Sequence, residues 1–496
     1  MRSTRRTLPV LAAMLAAAFG VATHADIPAS PDAITFPPLE FTPPEATSFR
    51  HELAGGVPVY LATSREFPLI NVTFTFRGGA YLEESNAAGL ATALGSLMRR
   101  GGTVSVDARE LDERFDFLAA NVSTSVGQEY ATASLDCLKS NFPEAFGLFM
   151  DVLRQPGFDA ERLRLHQDEV LEELKQRNDR PMSVAQLHMG ELLYGADHFL
   201  GRRPTAASIE AITPDALRRL HSRIFHPGNL AVAVTGDFDR AVMLETLDRA
   251  LADWPAGVPA GPPPAPAKTV EPGLYHASVA QEELPQGTAI IVKRAVERDH
   301  PDMLTLNVMN HILGGGGFTS RIMSRVRSDE GLAYGASSFI APQVHFPGIF
   351  GAFFQSKNRT VALATKIIFE EFDRIRSEPV SDEELALAKN SFIEGFPQRF
   401  SSKEAVLGTF VNDELTDRDP EYWHTFRDRI RRVTKRDVQR VARTHLDPAA
   451  MMILVVGDWG EIYGGDLDGR ASMNDFFGGN VRHLPMRDPL TLEPMN

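Results

Sequence analysis

The sequence holds a single cysteine, Cys137, and only three tryptophans among its 496 residues. One cysteine closes no internal disulfide, so stability has to come from buried apolar area rather than from crosslinks. Cys137 lies in the alternating stretch Ala131–Leu138, which reads as a strand, and there it reads as a small buried hydrophobe rather than a nucleophile. A basic surplus is also missing. Lys and Arg number 51 against 65 Asp and Glu, and the formal charge of −14 excludes the electropositive footprint of a nucleic-acid binder. Beyond the N-terminus no apolar run reaches the roughly 20 residues of a membrane helix. Neither a Gly-x-Ser-x-Gly elbow, a Gly-Lys-Ser/Thr phosphate loop nor a His-Glu-x-x-His pair occurs.

What is present begins with a targeting pattern. Arg2, Arg5 and Arg6 precede the apolar run Leu8 to Val21 and the short residues Ala22 to Ala25. That order predicts a secretory signal over residues 1–25, cleaved near Ala25, with an uncleaved membrane anchor as the alternative. The expected compartment is outside the cytoplasm, and a bacterial periplasm suits the missing disulfides.

The Pro/Ala/Gly-rich stretch from Pro255 to Pro266 divides the rest, and residues 255–272 read as an extended linker. The portions on either side are related. Ile212 to Asp237 can be laid without gaps on Val433 to Asp458, so that Thr213 meets Thr434, Pro227 meets Pro448, and Gly236-Asp237 meets Gly457-Asp458. Each copy has a capping Thr, an amphipathic helix, a Pro turn and an apolar β-rich run stopped by Gly-Asp. Strand patterns at Val59–Ala62, Ile70–Phe76 and Ala289–Lys293, with helical patterns at about 141–154, 158–178, 360–377 and 381–396, predict an α+β class. The expected organisation is two homologous halves, 47–254 and 273–460, each a mainly antiparallel sheet covered by helices. The tail 461–496 carries no readable chemistry.

In the first half, Phe76-Arg-Gly-Gly-Ala-Tyr-Leu-Glu-Glu84 leads into Gly89-Leu-Ala-Thr-Ala-Leu-Gly-Ser-Leu-Met-Arg-Arg100. This frame and the duplication resemble the M16 (pitrilysin/insulinase-type) metallopeptidases, whose halves close like a clam around an extended peptide. In that family the helix bears His-x-x-Glu-His, two imidazoles one turn apart for zinc and a carboxylate for the attacking water. Here Thr92, Gly95 and Ser96 stand at those positions, and Glu173 falls at the third ligand's place. The resemblance therefore implies a degenerate motif and no metal in this chain. The plainer reading of Glu173, and the favoured one, is a solvated helical carboxylate. Elsewhere, His166 and Glu169 lack a second histidine, and His221 and His226 are wrongly spaced for a pair.

The second half keeps another set: the run Gly314, Gly315, Gly316, Gly317, and then Arg327-Ser-Asp-Glu-Gly-Leu-Ala-Tyr334. In similar processing peptidases the glycine run belongs to a loop that touches substrate, and the Arg and Tyr hold the substrate carbonyl and its developing oxyanion. Arg327 as a surface ion pair and Tyr334 as a core aromatic are the plainer alternatives. The resemblance thus implies a non-zinc subunit, inactive alone, that pairs with a zinc-bearing M16 subunit and acts on peptides or unfolded segments. The other implied reading is an inert peptide-binding or structural subunit.

Overall fold

The structure is a computed structural model that describes residue 30 and residues 39–280 and 284–495, so the predicted signal segment lies outside the described residues. Among the described residues twelve strands form two six-stranded sheets. The first contains β1 (Arg50–Glu52), β2 (Pro58–Thr63), β3 (Leu69–Arg77), β4 (Asn121–Val126), β5 (Tyr130–Leu138) and β6 (Leu230–Gly236). The second contains β7 (Gly273–Ala277), β8 (Gln286–Arg294), β9 (Ala336–Ala341), β10 (Ile349–Lys357), β11 (Met452–Val456) and β12 (Val481–Leu484).

Their orders, β1-β2-β6-β3-β5-β4 and β12-β7-β11-β8-β10-β9, repeat one plan in five of six strands. In each sheet one pair of the shared plan is parallel, β2 with β6 and β7 with β11, and the other shared neighbours are antiparallel. β3 alternates half-buried and buried residues along its whole length, the signature of a sheet with one drier face. Cys137 on β5 is buried, and burial pushes its thiol up to about 11, as suits a small hydrophobe.

The repeated segment folds as its pattern dictates. Thr213 and Thr434 each accept a hydrogen bond from a first-turn N–H, starting the helices Pro214–Ile224 and Lys435–His445. A short turn at Pro227–Asn229 or Pro448–Ala450 then delivers β6 or β11 into the middle of its sheet.

One face of each sheet packs on helices of its own half. The first core joins Val72, Phe74 and Phe76 of β3 to Leu94 and Leu97 of the helix Leu90–Arg100 and Phe149 of the helix Phe142–Arg154. The opposite face takes a helix from the other half. Val184, Ala185 and Leu193 of the helix Pro181–Tyr194 pack on Tyr275, Val292 and Leu454 of the second sheet. Leu407, Phe410 and Val411 of the helix Lys403–Leu415 pack on Tyr60, Ala62 and Ala231 of the first. This exchange places both sheets in one compact unit, Pro43–Asn496.

The tail is part of the fold. β12 pairs parallel to β7, and the chain then crosses to the first half. There Arg487 Nη2 donates to both Glu191 carboxylate oxygens at 3.0 and 2.8 Å, Asn178 donates to the Arg487 carbonyl at 2.7 Å, and Leu490 packs against the first core. Among the described residues no helix is long and apolar enough to cross a membrane.

Candidate functional site

The helix Leu90–Arg100 is fixed at its start by Glu83, whose carboxylate accepts from the Ala91 backbone N–H. Burial pushes the Glu83 carboxyl up to about 7, partly offset by that hydrogen bond. The acid that follows the glycine turn is thus a helix cap. Leu90, Ala93, Leu94 and Leu97 turn into the core, leaving Thr92 exposed and Ser96 half-buried.

Gly95 is pressed against β4. A Cβ there would sit 2.5 Å from the Val126 nitrogen and 2.9 Å from Ser125 Cα, while Thr124 Oγ1 donates to the Gly95 carbonyl at 2.6 Å. No glutamate fits at this position unless the strand moves. Beside it, Arg100 donates to Ser96 Oγ at 3.5 Å and reaches Glu169 through two bonds of 3.0 Å. This hydrogen bonding holds the Glu169 carboxyl below its ordinary range. Glu169 and Glu173 lie one turn apart on the helix Ala160–Lys175, with Glu173 exposed. His166, one turn before Glu169, is buried, and burial and Arg100 lower its pKa.

The structure therefore gathers Ser96 with Arg100 and Glu169, and sets Glu173 on the next turn. The donors do not fit zinc. Two hydroxyls replace two imidazoles, the base position is closed by strand backbone, and a guanidinium already supplies the positive charge beside the carboxylates.

Sequence spacing gave no sign of another gathering. His300, Asp302 and His445 bring potential ligand atoms within 4.8 Å of one another. The Asp302 carboxylate and His300 Nδ1 already hold partners within the protein. Asp302 takes Arg440 at 2.6 and 3.1 Å and His445 at 2.8 Å, and His300 Nδ1 accepts from the Asp302 N–H at 3.1 Å. Arg440 holds the Asp302 carboxyl down to about 2, so this is a closed ion-pair network.

The second half's residues sit on unusual backbone. The glycine run begins in a π-helical turn, His311–Gly315, and Arg327 lies in another, Ser324–Asp329. Gly314 packs so closely on β9 that a Cβ would lie 2.5 Å from the Ser338 nitrogen. Gly317 adopts φ +61°, the left-handed region open to glycine, and turns Phe318 outward. The Arg327 guanidinium carbon lies 4.5 Å from the Phe318 ring centroid and 4.7 Å from that of Tyr334. Tyr334 is 87% exposed and Phe318 68%. Among the described residues, neither the Arg327 guanidinium nor the Tyr334 hydroxyl has a hydrogen-bond partner, which removes the ion-pair and core-aromatic alternatives. The sequence named Arg327, Tyr334 and the four glycines. It missed Phe318, whose only signal was a large apolar residue inside a glycine loop.

The Ser96–Glu173 group and the Arg327–Tyr334 group lie on different halves and share no hydrogen bond or ring contact among the described residues. They sit on a duplicated α+β fold in which Thr92, Gly95 and Ser96 offer neither an imidazole nor a base. Comparison with known proteins places it. Residues 61–198 match the profile of the insulinase family, peptidase family M16, and residues 211–392 match that of the peptidase M16 inactive domain. The chain belongs to peptidase family M16.

Similar proteins include the non-peptidase homolog YmxG of Helicobacter pylori, 25% identical over 411 residues, covering 81% of this chain and 92% of the relative. An uncharacterized zinc protease of Streptomyces coelicolor is 24% identical over 348 residues, with 69% and 75% covered. Among solved structures, a peptidase M16 inactive domain from Pseudomonas fluorescens superposes with a TM-score of 0.72 at 24% identity, over 82% of this chain and 97% of that one. The periplasmic protease PqqL of Escherichia coli gives 0.66 at 16% identity, over 82% of this chain and 45% of that one. These structural likenesses concern the fold alone.

Proposed function

We propose that this chain is the non-zinc subunit of an exported, heterodimeric M16 endopeptidase, and that it lends Arg327 and Tyr334 to a site whose zinc and general base belong to a partner subunit. One observation carries the reading: the second half presents a guanidinium and a phenol whose donors have no hydrogen-bond partner among the described residues, while in the first half Gly95 lies against β4 and Arg100 pairs with Glu169 beside Ser96. A peptide carbonyl can accept from both groups, and the charge that develops on its oxygen is what such donors stabilise. Among the described residues the outer strands β4 and β9 each leave one edge without a strand neighbour, and an extended peptide can add there through its backbone, a mode tolerant of sequence. The predicted signal supports export, and the YmxG relative's description as a non-peptidase homolog agrees with a chain silent by itself.

The test is peptide hydrolysis by the purified chain alone and mixed with the zinc-bearing M16 subunit of the same source. Silence alone and chelator-sensitive cleavage in the mixture are expected. Arg327→Ala should then lower kcat roughly a hundredfold or more, and Tyr334→Phe should lower it too. Chelator-sensitive cleavage by the isolated chain would overturn the divided site, and a mixture indifferent to both substitutions would leave an inert binding subunit.

A further inference from the structure

We infer that Phe318 is a third member of the group that the second half presents, a positioning residue that holds the Arg327 guanidinium by its face and leaves the N–H edge free for a peptide carbonyl or carboxylate. The inference rests on the divided-site reading above.

Single apolar side chains in water are ordinary and need no explanation. Phe318 is different because of what holds it there. The loop is braced on both sides of the ring: Gly314 lies against β9, Thr319 Oγ1 donates to the Gly316 carbonyl at 3.0 Å, and Ser320 Oγ donates to the Gly317 carbonyl at 2.7 Å. The next residue, Arg321, is buried and forms a bidentate pair with Glu384 at 2.6 and 2.9 Å. A loop anchored this firmly keeps a benzyl group in solvent although nearby chain is buried. Its ring meets a guanidinium, not a core.

The chemistry of that contact explains the arrangement. A guanidinium is planar, with five N–H donors in its plane, and an aromatic ring attracts it through the face. Phe318 and Tyr334 both offer ring faces to Arg327, and the donor edge has no protein partner among the described residues. An unsupported arginine at the surface samples many rotamers and loses that freedom when it binds. Packing by Phe318 restricts it before substrate arrives, so the donors need less ordering at the reacting carbonyl.

Two readouts test this with Phe318→Leu, Phe318→Tyr and Arg327→Ala. In the isolated chain, NMR should find the Arg327 Nε–H resonance displaced upfield by ring currents, with much of the displacement lost in Phe318→Leu and kept in Phe318→Tyr. In the mixture with the zinc-bearing subunit, Phe318→Leu should lower kcat/KM roughly three- to thirtyfold, the span expected of a cation–π contact from exposed to desolvated. Most of that loss should fall in kcat. Phe318→Tyr should recover most of what Phe318→Leu loses. A Phe318→Leu pair as active as wild type, or an Arg327 resonance indifferent to residue 318, overturns the inference while leaving the divided site standing. A wild-type mixture that cleaves nothing overturns the divided site itself, and the catalytic placement of Phe318 with it.

Discussion

Glu83 shows how one residue can carry both a structural task and a titration. It caps the helix Leu90–Arg100, and burial pushes its carboxyl from 4.5 up to about 7. Between those values the unfolded chain has released its proton while the folded chain retains it. Stability therefore falls as pH rises through that window and levels off above it. Glu83→Gln keeps an acceptor oxygen without the titration, so the difference in melting temperature between variant and wild type should widen from pH 5 to pH 7 and then stay constant. The span is on the order of 3 kcal/mol. A difference that does not vary with pH would refute this assignment. At this scale part was legible: Thr92, Gly95 and Ser96 were picked out by the resemblance of their helix to the family's His-x-x-Glu-His frame. Arg100 with Glu169 was not, because the two are 69 positions apart and only the packing of two helices brings them together.

At the scale of elements, the contact of the helix Leu90–Arg100 with β4 decides what residue 95 can carry. Gly95→Ala gains about 1 kcal/mol of helix propensity. Against this, the new methyl meets the Val126 nitrogen at 2.5 Å, backbone that has nowhere flexible to go. Overpacking of that kind costs roughly 1–3 kcal/mol. Net destabilisation is expected in thermal unfolding. Restoring His, Glu and His at 92, 95 and 96 together should destabilise further and yield no stoichiometric zinc by metal analysis of the purified variant; a stable variant that binds one zinc would contradict the packing argument. The repeated helix–turn–strand unit was readable because capping Thr, apolar period and Pro turn agree at every step. The exchange of the helices Pro181–Tyr194 and Lys403–Leu415 was not, since an apolar stripe shows that a face is buried but not against which sheet.

The whole molecule is closed by its tail, which the sequence left without a role because Val481–Leu484 is short and has a polar centre that acquires meaning only beside β7. Within that pairing His276 Nε2 contacts the Gly457 carbonyl at 3.1 Å, so its Nδ1 is left to accept from His483 Nδ1, also at 3.1 Å. Trp459 packs against both rings, and Asp458 is the nearby acid. Burial lowers the His276 pKa below 6.5, helped by His483 and opposed by the Gly457 carbonyl and Asp458. A lowered histidine contributes stability that is complete above its unfolded value and lost as pH falls through its folded one. A proton on His276 Nδ1 would also turn the contact into two donors facing each other. Amide exchange over 481–484 should therefore slow less between pH 7.5 and pH 5.5 than the base-catalysed intrinsic rate does, an excess of opening at the acid end. His276→Gln should remove that excess. The far end of the tail depends on Arg487 and Glu191 instead, so exchange around Asn178 should respond to Glu191→Ala at both pH values and little to the acid step. Equal acid sensitivity at both ends would mean that the tail opens as one piece and that the imidazole pair is not its hinge.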